Sequence, residues 1–121
     1  MKNQTYRMTM LFDFYGDILT ERQRELFDLY YNEDLSLAEI AENCGISRQG
    51  VRDVIVRAEA AMNELEDKTD LLKRFMRMQS SVDTIVAAAN EIKTINYRQY
   101  ENHRLEELAD SIIAGAGVLK E

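Results

Sequence analysis

Residues 36–55 read SLAEIAENCGISRQGVRDVI, and the reading of this stretch decides the fold. Counting Leu37 as the first position, Ala41 is a small residue where two helices would cross. Four positions later, Gly45 tolerates the left-handed backbone that a tight turn needs. Ile40, Ile46, Val51 and Val54 fall where such a pair must bury one face, which leaves Arg48, Gln49 and Arg52 pointing outward. The start signals agree. Ser36 with Glu39 is a capping box of S-x-x-E form, and Ser47 stands where it would cap the second helix. This spacing predicts a helix-turn-helix, with helices over 37–43 and from 47 to about 66 or beyond.

Outward from the motif the pattern stays helical. The 121 residues contain no proline, Ala, Leu, Glu, Arg and Met are abundant, and strand-length runs of Val, Ile and Thr are lacking, so the expected fold class is all-α. A first helix is expected from Thr5 to about Leu19, with Tyr6, Met10, Phe14 and Ile18 on one face and Met8, Leu11, Phe12 and Tyr15 widening the apolar surface. Thr20 with Gln23 forms a second capping box, opening a helix that buries Leu26, Leu29 and Tyr30, and Asn32 to Leu35 form the loop before the motif. Beyond Asp67, Ser80 or Ser81 starts a helix running to Thr94 that carries Val82, Ile85, Val86, Ala89 and Ile92 on one side. After a break near Asn96, a last helix from about Tyr97 to Ala114 carries Leu105, Leu108, Ile112 and Ile113, with Gly115 and Gly117 ending it. The expected organisation is a helix-turn-helix domain over residues 1–75 and a carboxy-terminal helical hairpin over 76–121, an oligomerisation or partner-binding region.

Charge sets a tension with nucleic-acid binding. The chain carries 15 basic and 22 acidic side chains, a net charge of −7, whereas phosphate attraction supplies most nonspecific affinity. Its distribution relieves the tension. Residues 1–46 hold four basic and nine acidic side chains, but from Ser47 to Ala58 Arg48, Arg52 and Arg57 face only Asp53, and Lys73, Arg74 and Arg77 follow. Binding is therefore expected to be local to the second motif helix, salt-sensitive, and weak without dimerisation or a partner. Arg48 and Arg52, four apart on one helical face, can donate paired hydrogen bonds to guanine, Gln49 can pair with adenine, Ser47 can bond phosphate, and Arg57 is a further phosphate contact.

Residues for catalysis are not grouped. His103 is the only histidine and has no second histidine to complete a metal pair, and Cys44 is the only cysteine, which excludes an internal disulfide and a cysteine-based zinc cluster. The GAG of Gly115–Gly117 follows a helix rather than a strand and lacks a phosphate-loop lysine. No serine has an assignable base and orienting acid. Neither an enzyme, a cofactor nor a metal site is expected. No apolar run is long enough to span a bilayer and the amino terminus lacks a signal-sequence pattern, which gives a cytoplasmic expectation without membrane insertion.

The stretch LTERQRELFDLYYNEDLSLAEIAENCGISRQGVRDVIVRAE resembles region 4 of bacterial sigma-70-type factors, in which a capped scaffold helix precedes a promoter-reading helix-turn-helix. The blocks YRMTMLFDFYGDILTERQ, SLAEIA and SRQGV also resemble, in order and spacing over residues 6–59, the YlxM-type family of small helical proteins. That resemblance implies a dimeric helix-turn-helix regulator tied to the signal recognition particle pathway, and keeps the particle's RNA or its GTPase open as partners. Two readings follow: a DNA-binding regulatory protein, or a protein- or RNA-interaction module that modulates the particle without reading DNA sequence. A homodimer held by the carboxy-terminal helices, with help from the amino-terminal Tyr, Phe and Met surface, is expected because two apolar stripes in residues 80–114 exceed what a lone hairpin can cover.

Overall fold

The computed structural model describes residues 5–120. Among them are six α-helices and no strand: α1 (Thr5–Tyr15), a 3₁₀ turn (Gly16–Ile18), α2 (Glu21–Tyr31), α3 (Leu37–Cys44), α4 (Arg48–Thr69), α5 (Leu71–Ile95), a π-helical turn (Asn96–Tyr100) and α6 (His103–Val118). The fold is all-α. It divides into two compact units, Met1–Leu72 and Lys73–Glu121. The division lies inside α5 rather than in a linker, a few residues before the expected step from 75 to 76.

In the first unit α1, α2 and α3 each pack against α4. The centre is filled by Leu11, Leu26, Phe27, Ile40, Val51, Ile55, Ala58 and Met62, none of which is exposed. Phe12 stacks on Phe27 with ring centroids 4.7 Å apart, and Phe27 lies 4.5 Å from Tyr31, so α1 and α2 meet through aromatic faces. The buried edge of α1 is Met8, Leu11 and Tyr15, continued by Leu19; of the expected face Met10 and Phe14 are half-buried against the core, whereas Tyr6 and Ile18 are 69% and 53% exposed. Helix α1 also ends at Tyr15 instead of Leu19. Gly16 opens a 3₁₀ turn there, packed where a Cβ would lie 3.3 Å from the Phe12 ring, and the 3.6-residue period is lost.

Two buried tyrosines tie α4 to its neighbours. The Tyr15 hydroxyl donates to Glu66 Oε1 at 2.7 Å, and that of Tyr31 donates to Glu59 Oε2 at 2.5 Å. Burial, then the adjoining Glu59 carboxylate, pushes the Tyr31 hydroxyl far above its ordinary value of 10.0. Burial likewise raises Tyr15, opposed by its hydrogen bond with Thr69 and reinforced by Glu66. Groups whose folded pKa is raised contribute stability that is complete below the unfolded value and is lost as pH rises above about 10, by up to about 1.4 kcal/mol per pH unit for each tyrosine. Urea titrations between pH 8 and 11.5 are expected to show that fall. A Tyr15→Phe, Tyr31→Phe chain should show a shallower one, and an equal slope in both proteins would refute the assignment.

Glu66 also starts α5. Its Oε1 accepts the Leu72 amide at 2.9 Å, the Thr69 hydroxyl accepts that of Leu71 at 3.3 Å, and Asp70 between the helices takes φ +54°. Helix α5 therefore begins at Leu71, not at Ser80 or Ser81. Those serines lie within one continuous helix, where the Thr84 hydroxyl donates to the Ser80 carbonyl. Ser-Ser can cap a helix, but here the amides at the true start are served by side chains of the preceding helix.

The second unit is an antiparallel hairpin. Lys93 pairs with Asp110 at 2.7 Å and Lys120 pairs with Asp83, so position rises along α5 as it falls along α6. The turn is held by a buried amide: Asn96 Nδ2 donates to the Asn102 carbonyl and Asn96 Oδ1 accepts the Asn102 amide, both at 2.8 Å. Asn102 then caps α6 by accepting the Leu105 amide at 3.1 Å. The last helix thus begins at His103, not Tyr97, because the first residues after Ile95 are spent on a π-helical turn. It runs through Gly115 and Gly117 to Val118. Neither glycine adopts a positive φ, so neither acts as a terminator.

Candidate nucleic-acid interface

The helix-turn-helix is α3, the turn Gly45–Ser47 and α4. Ser36 caps α3 reciprocally: its hydroxyl accepts the Glu39 amide, and its own amide donates to Glu39 Oε1, each at 3.1 Å. Gly45 sits at φ 68°, ψ 30°, with its N–H bonded to the Ala41 carbonyl, and the Ile46 amide bonds the same carbonyl at 3.2 Å. A residue with a Cβ would be strained there. Ile40 and Ala41 are buried on α3, and Val51, Ile55, Ala58 and Met62 form the buried stripe of α4, with Ile46 and Val54 half-buried beside it.

Ser47 caps α4 by accepting the Gly50 amide at 2.9 Å. A Cβ on residue 50 would lie 3.1 Å from that hydroxyl oxygen, tighter than ordinary contact, so glycine here leaves room for the cap. The hydroxyl hydrogen of Ser47 remains available to donate to a phosphate. Ser47, Arg48, Gln49, Arg52 and Arg57 are all exposed. At about 100° per residue, Arg48 and Arg52 flank one side of the exposed face, Arg57 lies about half a turn round from Arg48, and Gln49 and Asp53 occupy the middle.

That placement has two electrostatic consequences. Among the described residues no carboxylate lies within ion-pair reach of Arg48, Arg52 or Arg57, unlike Arg22, Arg24 and Arg104, which pair with Glu25, Asp17 and Glu107. Gln49, by contrast, is engaged: its Nε2 donates to Asp53 Oδ1 at 3.1 Å. Asp53 puts a negative charge at the centre of the face, and it holds the amide that would otherwise bond adenine. From the sequence Asp53 counts only as one negative charge against Arg48, Arg52 and Arg57. The i, i+4 spacing of Gln49 and Asp53 is the signal that foretells this pair. Glu59 and Glu66, which anchor α4 from behind, carry no comparable local signal because their partners lie 28 and 51 residues away.

The other residues weighed for chemistry stay apart. His103 is exposed and lies 2.9 Å from Glu107 on its own helix, and Cys44 is a half-buried free thiol beside the turn. Among the described residues no group of three His, Cys, Asp or Glu side chains is placed to hold a metal ion, and no helix is long and apolar enough to cross a membrane.

Comparison with known proteins agrees with this geometry. A family model described as "Putative helix-turn-helix protein, YlxM / p13 like" (UPF0122) matches residues 2–110. The chain is 41% identical over 112 residues to a UPF0122 protein of Bacillus thuringiensis (strain Al Hakam), covering 93% of this chain and 96% of the relative. It is 46% identical over 96 residues to one of Bacillus mycoides (strain KBAB4), covering 79% and 87%. With one of Thermoanaerobacter sp. (strain X514) it shares 49% over 78 residues, covering 64% and 67%. The match extends through both units and well into α6, so the chain belongs to the UPF0122 family of YlxM/p13-like helix-turn-helix proteins.

Proposed function

We propose that the protein is a cytoplasmic, dimeric DNA-binding regulator in which residues 1–75 read the duplex and residues 76–121 assemble the dimer. The observation that carries this reading is the exposed start of α4, where a capped, rigidly backed helix presents Arg48, Arg52 and Arg57 without internal ion pairs. In the major groove Arg48 and Arg52 bond guanine edges, Gln49 reads adenine once it leaves Asp53, and Ser47 and Arg57 bond phosphates on either side. Asp53 opposes the nearest phosphates and keeps affinity low until the right bases satisfy Gln49.

The test is a binding titration against a duplex selected from a random pool, repeated across salt concentrations. Asp53→Asn is expected to tighten binding by about 1 kcal/mol, the scale of one charge against a phosphate in water. Arg57→Ala should weaken all duplexes alike and reduce the salt slope by about 1. No duplex enriched over random sequence would overturn the proposal.

A second reading is favoured by charge: residues 1–72 carry eight basic and fifteen acidic side chains. On this reading the acidic surface and the carboxy-terminal helices form a protein- or RNA-interaction module acting on the signal recognition particle, through its GTPase or its RNA. Pull-down from extract treated with DNase, with RNase or with neither separates the two: the DNA reading loses its capture to DNase alone, whereas capture through the particle's RNA is lost to RNase and capture of its GTPase survives both.

A further inference from the structure

The hairpin of α5 and α6 buries a narrow line of short residues. Val82, Ala89 and Asn96 on α5, and Ala109 and Ala116 on α6, recur every seven positions and are 1–6% exposed. In an antiparallel pair of helices, the positions three after each buried residue fall on one side of the hairpin and the positions four after fall on the other. The two sides differ sharply. One carries the Lys93–Asp110 and Lys120–Asp83 ion pairs, with Val86 and Ile113 half-buried between them. The other carries Met78, Ile85 and Ile92 from α5 and Leu105, Ile112 and Leu119 from α6, each 39–51% exposed. No residue on this side between Met78 and Ile95, or between Leu105 and Leu119, is charged.

We infer that this uncharged side is where a second copy of the chain docks, two hairpins meeting face to face as a four-helix bundle. The inference takes up the dimer of the proposed function and names the surface that makes it. Two observations select a second copy. Six large apolar side chains, each 39–51% exposed, form an uninterrupted ridge along both helices of the kind that four-helix bundles bury. The charge balance also selects it. Residues 73–121 hold seven basic and seven acidic side chains, while residues 1–72 hold the entire net charge of −7. A neutral hairpin meets its own copy without repulsion, whereas a strongly charged partner finds no counter-charge on this side. Small buried residues within each hairpin bring α5 and α6 close together, pushing the larger apolar side chains outward where the facing hairpin covers them.

The experiment is sedimentation or light scattering of the full chain at micromolar concentration, without DNA. The wild-type chain is expected at twice the chain mass. Ile85→Lys and Ile112→Lys, on different helices of the docking side, should each weaken self-association at least tenfold and move the mass towards one chain. Ala87→Lys, which adds the same charge on the exposed outer surface of α5, should leave the dimer intact. Because a lysine could disturb the hairpin itself, Ile92→Thr and Leu105→Gln add no charge and must shift the mass in the same direction with unchanged helical circular dichroism. A wild-type mass of one chain overturns the inference, as does a dimer indifferent to all four substitutions. A single chain that instead co-sediments with neutral phosphatidylcholine vesicles overturns it in favour of a lipid surface. Arg48→Ala with Arg52→Ala is expected to keep the two-chain mass, so failure of the DNA reading and failure of this interface are told apart.

Discussion

Arg48→Ala combined with Arg52→Ala is expected to cost about 2 to 6 kcal/mol of binding to the preferred duplex, because each arginine that reads a base contributes about 1 to 3 kcal/mol of discrimination. The fold should be unaffected. Both side chains are exposed and make no ion pair within the described residues, so their loss removes nothing from the core and should change thermal or urea stability by no more than about 0.5 kcal/mol. The loss should also depend on sequence, large for the selected site and small for random DNA, since the phosphate contacts proposed for Ser47 and Arg57 do not involve these side chains. Equal affinity of the double variant and the wild type for the selected duplex would remove α4 from the major groove.

Phe27→Ala is expected to cost about 3 to 5 kcal/mol of stability, a large part of the 5–15 kcal/mol that a domain typically has. Phe27 is fully buried and is the ring on which Phe12 of α1 and Tyr31 of α2 both pack. Removing it leaves a cavity between the helices that back α4, and the Tyr31 hydroxyl loses the packing that holds it on Glu59. DNA binding should fall only in proportion to the unfolded fraction. Tyr6→Ala, at a position 69% exposed, is the control and should stay within about 0.5 kcal/mol. A urea midpoint for Phe27→Ala within experimental error of the wild type would show that the aromatic stack does not hold the unit together.

The helix-turn-helix was legible because every signal it needs is local. Ser36 finds its capping partner three residues on, Gly45 supplies the left-handed turn four residues after Ala41, and the burial of Ile40, Val51 and Ile55 follows the helical period. The exposure of Arg48, Gln49 and Arg52 then follows from the burial of the opposite face. The start of α5 was not legible, because its amides are served by Glu66 and Thr69, residues that read as the end of another helix. The start of α6 misled for a similar reason: the buried amide of Asn96 absorbs a turn of chain that apolar spacing alone assigns to the helix. How deeply each apolar row of α1 is buried is not legible, because Tyr6, Met10, Phe14 and Ile18 have as good a period as Met8, Leu11 and Tyr15, and periodicity cannot say which of two apolar rows meets a neighbour.

The sequence by itself therefore determined the all-α class, the position of the motif, the capping boxes of α2 and α3 and the residues on the outward face of α4. These are properties of single helices, set by spacings of three and four residues. Only the tertiary structure decided which apolar row of α1 is buried, where α5 and α6 begin, that Glu59 and Glu66 receive the buried tyrosine hydroxyls, and which side of the hairpin stays apolar and open. Each of those depends on what another element presents across a gap of many residues, and local spacing holds no record of that.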